Sequence, residues 1–235
     1  SRPAGASTSS ARRATSSGLV AGLSILVKQT NVAWLGLLFL WKYLDDHGLA
    51  VDRKRLVAHL RQCWMMVLGF TSFAVFVVVN RGVALGDRSM HPLDRPHAEN
   101  LWVLLFLLFF LFLPHLLAHV RDGVALLRRR PYILLVLGAL CVLYMLTMIA
   151  DHPYNNEAAD YCLRNGLLKF FLSNPAYKLA FFIPVACSLL FLAVSPPLTK
   201  SLWTIHAFTV LYLAPAWLVE PRYYIIPFSL FILAR

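Results

Sequence analysis

LWVLLFLLFFLFLPHLLA, residues Leu101–Ala118, contains no acid, lysine or arginine. As a helix rising 1.5 Å per residue it covers about 27 Å, close to the ~30 Å of hydrocarbon in a bilayer. Working outward, similar apolar blocks recur at Leu19–Trp41, Cys63–Val79, Tyr132–Ile149, Leu179–Val194 and Ser201–Val219, with a shorter one at Tyr223–Ala234. A soluble α/β protein with buried strands is the competing explanation for short apolar runs, but these runs are too long for it. The pattern predicts an all-α, polytopic transmembrane protein of six or seven spans. Composition agrees: of 235 residues 59% are hydrophobic and 14% charged, where a soluble domain carries about 25% charged residues. Mean hydropathy is +0.66.

The net charge of +11 would point to nucleic acid in a soluble protein. Here much of it falls in two connectors: Asp52-Arg53-Lys54-Arg55 with Arg61, and Arg121 with Arg128-Arg129-Arg130. The positive-inside rule turns both to the cytosol, where they act as topology and lipid-headgroup signals. No nucleic-acid partner is expected. Parity then places segments 80–100 and 150–178 and the Glu220–Arg222 turn on the opposite face. These hold Asp87, Asp94, Glu99, Asp151, Glu157, Asp160 and Glu220, seven of the 11 acidic residues. Cysteines 63, 141, 162 and 187 show no metal-ligand spacing, and no metal or cofactor is implied. His91 and His97, six apart in a proline-containing loop, are a poor metal pattern.

Residues 1–17 are low-complexity and rich in Ser, Ala and Arg, and are expected to be a disordered connector ahead of a membrane domain covering 18–235. The first apolar block is interrupted by Lys28-Gln29-Thr30-Asn31. Lysine alone costs about 2.5–3.5 kcal/mol near a span centre. The four therefore face protein or a water-filled cavity, either as packing glue between helices or as a lining for a polar head group. Residues 18–27 then read as a half-span or re-entrant segment. Asp151-His152-Pro153-Tyr154 opens the second long loop at the end of the fourth block, and Asn165–Leu172 has the look of a short interfacial helix.

The most telling string is Glu220-Pro221-Arg222-Tyr223-Tyr224, followed by Pro227. Ionisable residues this close to hydrocarbon ordinarily mark a site. Were the ligand a lipid-phosphate-linked sugar, its polyprenyl tail would stay in the bilayer and its site would lie at the membrane surface. Transfer needs a carboxylate to deprotonate the acceptor hydroxyl and cations to receive the phosphate. Arginine suits the second task because its fork matches phosphate oxygens. Asp87, Asp151 and Glu220 are the candidate catalytic carboxylates; Arg222, Arg88 and His91 are the candidate phosphate ligands. His152, Tyr223, Lys28, Gln29 and Asn31 complete a substrate-binding set. The alternative for Glu220 and Arg222 is mutual neutralisation at a helix end.

Four strings stand in fixed order: Lys28-Gln-Thr-Asn31 with Trp34, Gly86-Asp-Arg-Ser-Met-His91, Asp151-His-Pro-Tyr154, and Glu220-Pro-Arg-Tyr-Tyr-Ile-Ile-Pro227. Over roughly residues 19–233 they resemble the endoplasmic-reticulum α-1,2-glucosyltransferases that add the last glucose to the lipid-linked oligosaccharide. The resemblance implies a GT-C-type fold in the endoplasmic-reticulum membrane with a luminal active face. It also implies dolichyl phosphate glucose as donor and a dolichyl-diphosphate-linked oligosaccharide as acceptor, both carried in membrane lipid. Where that family has Ala-Asp-Asn-Arg-His-Tyr after its His-Pro, this chain has only Ala159-Asp160-Tyr161 and, out of register, Arg164. The chain reads as the C-terminal part of the family pattern, since the first luminal loop, which usually supplies a catalytic carboxylate, precedes its residues. The alternative reading is a non-catalytic membrane protein of the same fold, a channel-associated regulator or an inactive fragment.

Overall fold

The computed structural model describes residues 18–20, 22–25, 27–83, 96–152 and 166–234. The low-complexity segment 1–17 and the loop residues Asp87, Arg88 and His91 lie outside them. Every regular element among the described residues is helical. Among the described residues from Val32 onward, these α-helices follow in order: α1 Val32–His47, α2 Arg53–Gln62, α3 Trp64–Asn80, α4 Glu99–Leu111, α5 Leu113–Ala118, α6 Val120–Arg129, α7 Tyr132–Thr147, α8 Gly166–Leu172, α9 Pro175–Val194, α10 Thr204–Leu213 and α11 Ile225–Leu233. Three 3-10 turns, Gln29–Asn31, Lys200–Trp203 and Pro221–Tyr224, join them.

Among the described residues, α9 is the helix that by length and composition could cross a membrane unaided, and the pairs α2–α3 and α6–α7 qualify if each bent pair is one span. Two apolar blocks are broken where the sequence suggested continuity. Leu101–Ala118 divides at Phe112 into α4 and α5, with Pro114 in the first turn of α5; proline has no N–H to continue the ladder. Ser201–Val219 was expected as one span, yet α10 stops at Leu213. Pro215 follows two residues later and disfavours helical geometry in the residue before it. Residues 18–20, 22–25 and 27 are helical and end at Lys28, whose backbone is extended, and α8 forms at the position read as a short helix.

The basic connectors are themselves helices. α2 turns by 85° into α3, and α6 by 105° into α7. Each keeps its charged residues on a short helix running across the next apolar one, the geometry of a helix lying in an interface plane.

The chain forms two compact units: residues 1–91 with 201–212, and residues 92–200 with 213–235. In the first, Ile25, Leu35, Cys63 and Met66 make a small core flanked by Phe39, Phe70 and Phe73. His59 is fully buried and its Nε2 lies 3.0 Å from the Phe39 carbonyl. Burial pushes this imidazole below its ordinary pKa, outweighing the Phe39 bond, so the ring is neutral at pH 7. Trp41 Nε1 donates to Thr204 Oγ1 at 2.7 Å.

In the second unit, α9 packs on α4 and, in turn, on α5 to α8. Trp102, Phe106, Tyr144, Phe181, Phe182 and Val185 are central to its core, with Phe106 stacked on Phe181 at 3.9 Å between centroids. Ser188 Oγ donates to the Leu105 carbonyl at 2.7 Å. Lys178 Nζ donates to the Met145 carbonyl at 2.7 Å, a cation at the C-terminal turn of α7 where the helix dipole favours it.

Small residues permit the closest approach in the first unit. The Cα of Gly22 lies 3.2 Å from where a Cβ on Gly69 would stand, and Leu35 Cδ2 lies at 3.0 Å. Gly69→Leu is therefore expected to destabilise the protein by about 1–3 kcal/mol through overpacking, measured as a lower Tm of the purified protein in detergent. Gly138→Leu, where a Cβ meets open space, is the control.

Candidate functional site

The candidate site is built in the second unit around residues 214–220, the non-helical strap between α10 and the Pro221–Tyr224 turn. A strap packed among apolar helices must find partners for those main-chain groups that are shielded from water. Asn100, at the second position of α4 and fully buried, supplies the partners. Its Nδ2 donates to the Ala216 carbonyl at 2.6 Å and to the Leu218 carbonyl at 3.2 Å. Its Oδ1 accepts from Tyr224 Oη at 2.8 Å. Burial raises the Tyr224 phenol well above its usual pKa, so it stays protonated and donates. These bonds fix the amide orientation. One further bond, from His97 N to the Ala214 carbonyl at 2.8 Å, holds the start of the strap.

The strap presents Trp217 to the second loop. Trp217 Nε1 donates to Asp151 Oδ1 at 2.8 Å, and its ring meets His152 edge-on at 4.5 Å between centroids. On another side it stacks on His97 at 6.0 Å. Ala150, just before Asp151, is buried with φ at +52°. That left-handed conformation costs a non-glycine residue roughly 1–2 kcal/mol, and it turns the chain so that Asp151 and His152 arrive at the tryptophan. His97 is 1% exposed, with Nδ1 3.9 Å from Oε2 of the buried Glu99. Glu99 opens α4, where unpaired backbone N–H groups and the helix dipole favour a carboxylate.

The strap ends at Glu220. Its carboxylate, 10% exposed, meets Arg222 Nε at 2.6 Å, while the Arg222 side chain is 65% exposed. The guanidinium lies 5.8 Å from the Tyr223 ring centroid. The guanidinium therefore lies against both Glu220 and Tyr223, and the exposure of its side chain leaves it open to an outside anion such as phosphate.

Of the residues read from sequence, the structure gathers Asp151, His152, Glu220, Arg222 and Tyr223 on or beside this strap. Lys28, Gln29 and Asn31 belong to the first unit. There Lys28 Nζ donates to Tyr212 Oη at 3.2 Å and Asn31 Nδ2 to the Ser24 carbonyl at 2.9 Å, while Gln29 is half-buried in its 3-10 turn. Trp34 packs on Tyr212 at 4.9 Å. Asp87, Arg88 and His91 lie outside the described residues. Sequence reasoning missed Asn100 and Trp217. Asn100 gave a signal, an acid and an amide abutting eleven apolar residues in Leu101–Leu111; Trp217, in an apolar run, gave none.

Comparison with known proteins bears on what such a site does. The family model described as the DIE2/ALG10 family matches residues 47–233. Similar curated proteins include that of Kluyveromyces lactis, 24% identical over 90% of this chain and 47% of its own length. That of Candida glabrata is 25% identical over 90% of this chain and 48% of its own. A Homo sapiens protein is 31% identical over 71% of this chain and 36% of its own. All three are named Dol-P-Glc:Glc(2)Man(9)GlcNAc(2)-PP-Dol alpha-1,2-glucosyltransferase. The chain thus spans half or less of the length of these relatives. No solved structure matches it.

Asn100→Ala is expected to lower stability by about 3 kcal/mol, because it strands two buried carbonyls. Tyr224→Phe, which removes one donor, should cost about 1 kcal/mol. Thermal unfolding followed by circular dichroism checks both, and equal effects would show that the strap does not depend on the amide.

Proposed function

Because the chain belongs to the DIE2/ALG10 family, we propose that it forms the strap-bearing part of a glucosyltransferase that acts on the lipid-linked oligosaccharide. The donor is dolichyl phosphate glucose and the acceptor a dolichyl-diphosphate-linked glycan, joined by an α-1,2 linkage. The protein is a multi-pass, GT-C-type enzyme of the endoplasmic-reticulum membrane, with segments 80–100 and 150–178 on the luminal face. The observation that carries this reading is the Glu220–Arg222 arrangement, a buried carboxylate holding Nε of an exposed guanidinium.

In the reaction, the acceptor hydroxyl attacks the anomeric carbon as the bond from that carbon to the phosphate oxygen breaks. The hydroxyl proton goes to a carboxylate, and dolichyl phosphate leaves. Charge builds on the departing phosphate, so a preorganised cation there lowers the barrier. Arg222 takes that role, with Tyr223 beneath its guanidinium. Glu220 is a positioning residue: its contact with Nε turns the fork outward. Asp151, exposed and held by Trp217, is the in-chain carboxylate placed to receive a proton from an acceptor, with His152 packed against the same indole.

The competing role for Glu220 and Arg222, simple neutralisation, predicts different behaviour. Arg222→Ala leaves a nearly buried carboxylate without its guanidinium, which destabilises on its own account. The double variant Glu220→Gln/Arg222→Ala removes that complication. In cells lacking the terminal glucosylation step, scored by glycan size, the double variant should express normally and transfer glucose about 10–100-fold more slowly. That range corresponds to losing one charge-assisted contact of roughly 1.5–3 kcal/mol. Arg222→Lys, with charge but no fork, should be intermediate. Wild-type glucosylation by the double variant would remove Arg222 from the phosphate site.

A further inference from the structure

The end of α1 and the length of α2 carry a side-chain cluster that the transferase reading does not use. Asp46, His47 and His59 each offer one ligand atom, and these atoms all lie within 4.8 Å of one another. The two histidines are 12 positions apart in sequence, with no metal-ligand spacing to betray them. The fold brings them together by reversing the chain between the helices. Gly48, at φ +64°, ends α1 with its N–H on the Leu44 carbonyl at 2.8 Å. Asp52 caps α2 by accepting from Arg55 N at 2.9 Å. Tyr43 Oη donates to the Ala50 carbonyl at 2.8 Å, pinning the connection in between.

Three features distinguish the cluster from an ordinary polar surface. His47 Nε2 is buried and has no hydrogen-bond partner, although an unpaired buried nitrogen is costly. His59 has its Nε2 on the Phe39 carbonyl, so that nitrogen carries the proton and the lone pair is on Nδ1, whose present neighbour is the Cys63 thiol at 3.9 Å. Metal-bound histidines are oriented in this way, one ring nitrogen on the ion and the other donating to a carbonyl or carboxylate. The Asp46 carboxylate is supported through Oδ2, which pairs with Lys42 and, with the Gln62 amide turned so that its nitrogen faces Asp46, accepts from it at 3.2 Å. Its Oδ1 remains to bind an ion.

The geometry points to a site for a first-row divalent transition metal ion of the zinc type, held by Asp46, His47 and His59, with water as fourth ligand. Two imidazoles and a carboxylate form a nitrogen-rich donor set that such ions accept. Magnesium and calcium, which prefer all-oxygen shells, do not match it. Tetrahedral zinc, with bonds of about 2.0–2.2 Å, needs ligand atoms some 3.4 Å apart, so rotamer adjustments that draw the three atoms inward complete the site. The bound ion would staple the end of α1 to α2 across the five-residue connection.

The test uses the whole protein purified in detergent, with Zn2+ as the probe. Competition against a chromophoric chelator should give one Zn2+ per chain, and Zn2+ should raise the Tm by several degrees while Mg2+ at the same concentration leaves it unchanged. His47→Gln and Asp46→Asn alter only partly exposed groups. They should preserve the circular dichroism spectrum, weaken Zn2+ at least tenfold and abolish the Tm shift. His115→Gln, on another helix, should behave as wild type. Co2+ substitution should give a visible absorption band of tetrahedral intensity in the wild type and none in His47→Gln. Undiminished Zn2+ binding by a folded His47→Gln variant, or no binding by the wild type, would overturn the assignment. Either result leaves the glucosyl-transfer reading untouched, since no residue of this cluster belongs to it.

Discussion

A single buried amide governs the architecture of the second unit. Helices satisfy their own main-chain groups, but residues 214–220 do not form a helix. Asn100 answers two of the strap's carbonyls and is locked by Tyr224 Oη. The arrangement joins three parts of the chain: the start of α4, the strap, and the turn that leads into α11. Each feature of the candidate site hangs from one of these. His97 and Glu99 adjoin the amide, Trp217 lies between the two clamped carbonyls in sequence, and Glu220 and Arg222 follow directly.

Under the proposed function, the pair Glu220–Arg222 combines neutralisation with recognition. A guanidinium presents five donors in a plane. Part of the group can discharge a buried carboxylate while the side chain as a whole stays accessible, and the contrast between 10% exposure for Glu220 and 65% for Arg222 fits that division. A lysine could not do both, since its charge is a single point. The same logic explains why Asp151 stays near the strap. Trp217 donates a proton it cannot lose, so the indole orients the carboxylate without titrating.

Charge is also organised by bending. Arginines of α2 and α6 sit on helices that run across the following apolar helices at 85° and 105°. A straight continuation would carry several cations into the apolar register, at a cost of several kcal/mol on insertion scales. The bend separates basic from apolar residues within one stretch of chain.

The sequence alone determined the helical class, the apolar blocks and the break at Lys28, because these depend on composition and on costs that any surrounding structure must meet. It also carried the family resemblance, since four short strings kept their order. Other features were decided by tertiary structure. Leu213 ends α10 although the apolar run continues to Val219, because hydropathy does not report where prolines and a distant amide allow the backbone to leave the helix. Trp217 looks like one more membrane-facing aromatic until the strap turns its N–H toward Asp151. His47 and His59 look like unrelated residues until a glycine with positive φ reverses the chain. In each case the missing information is a contact between segments far apart in sequence, and such contacts exist only once the helices have packed.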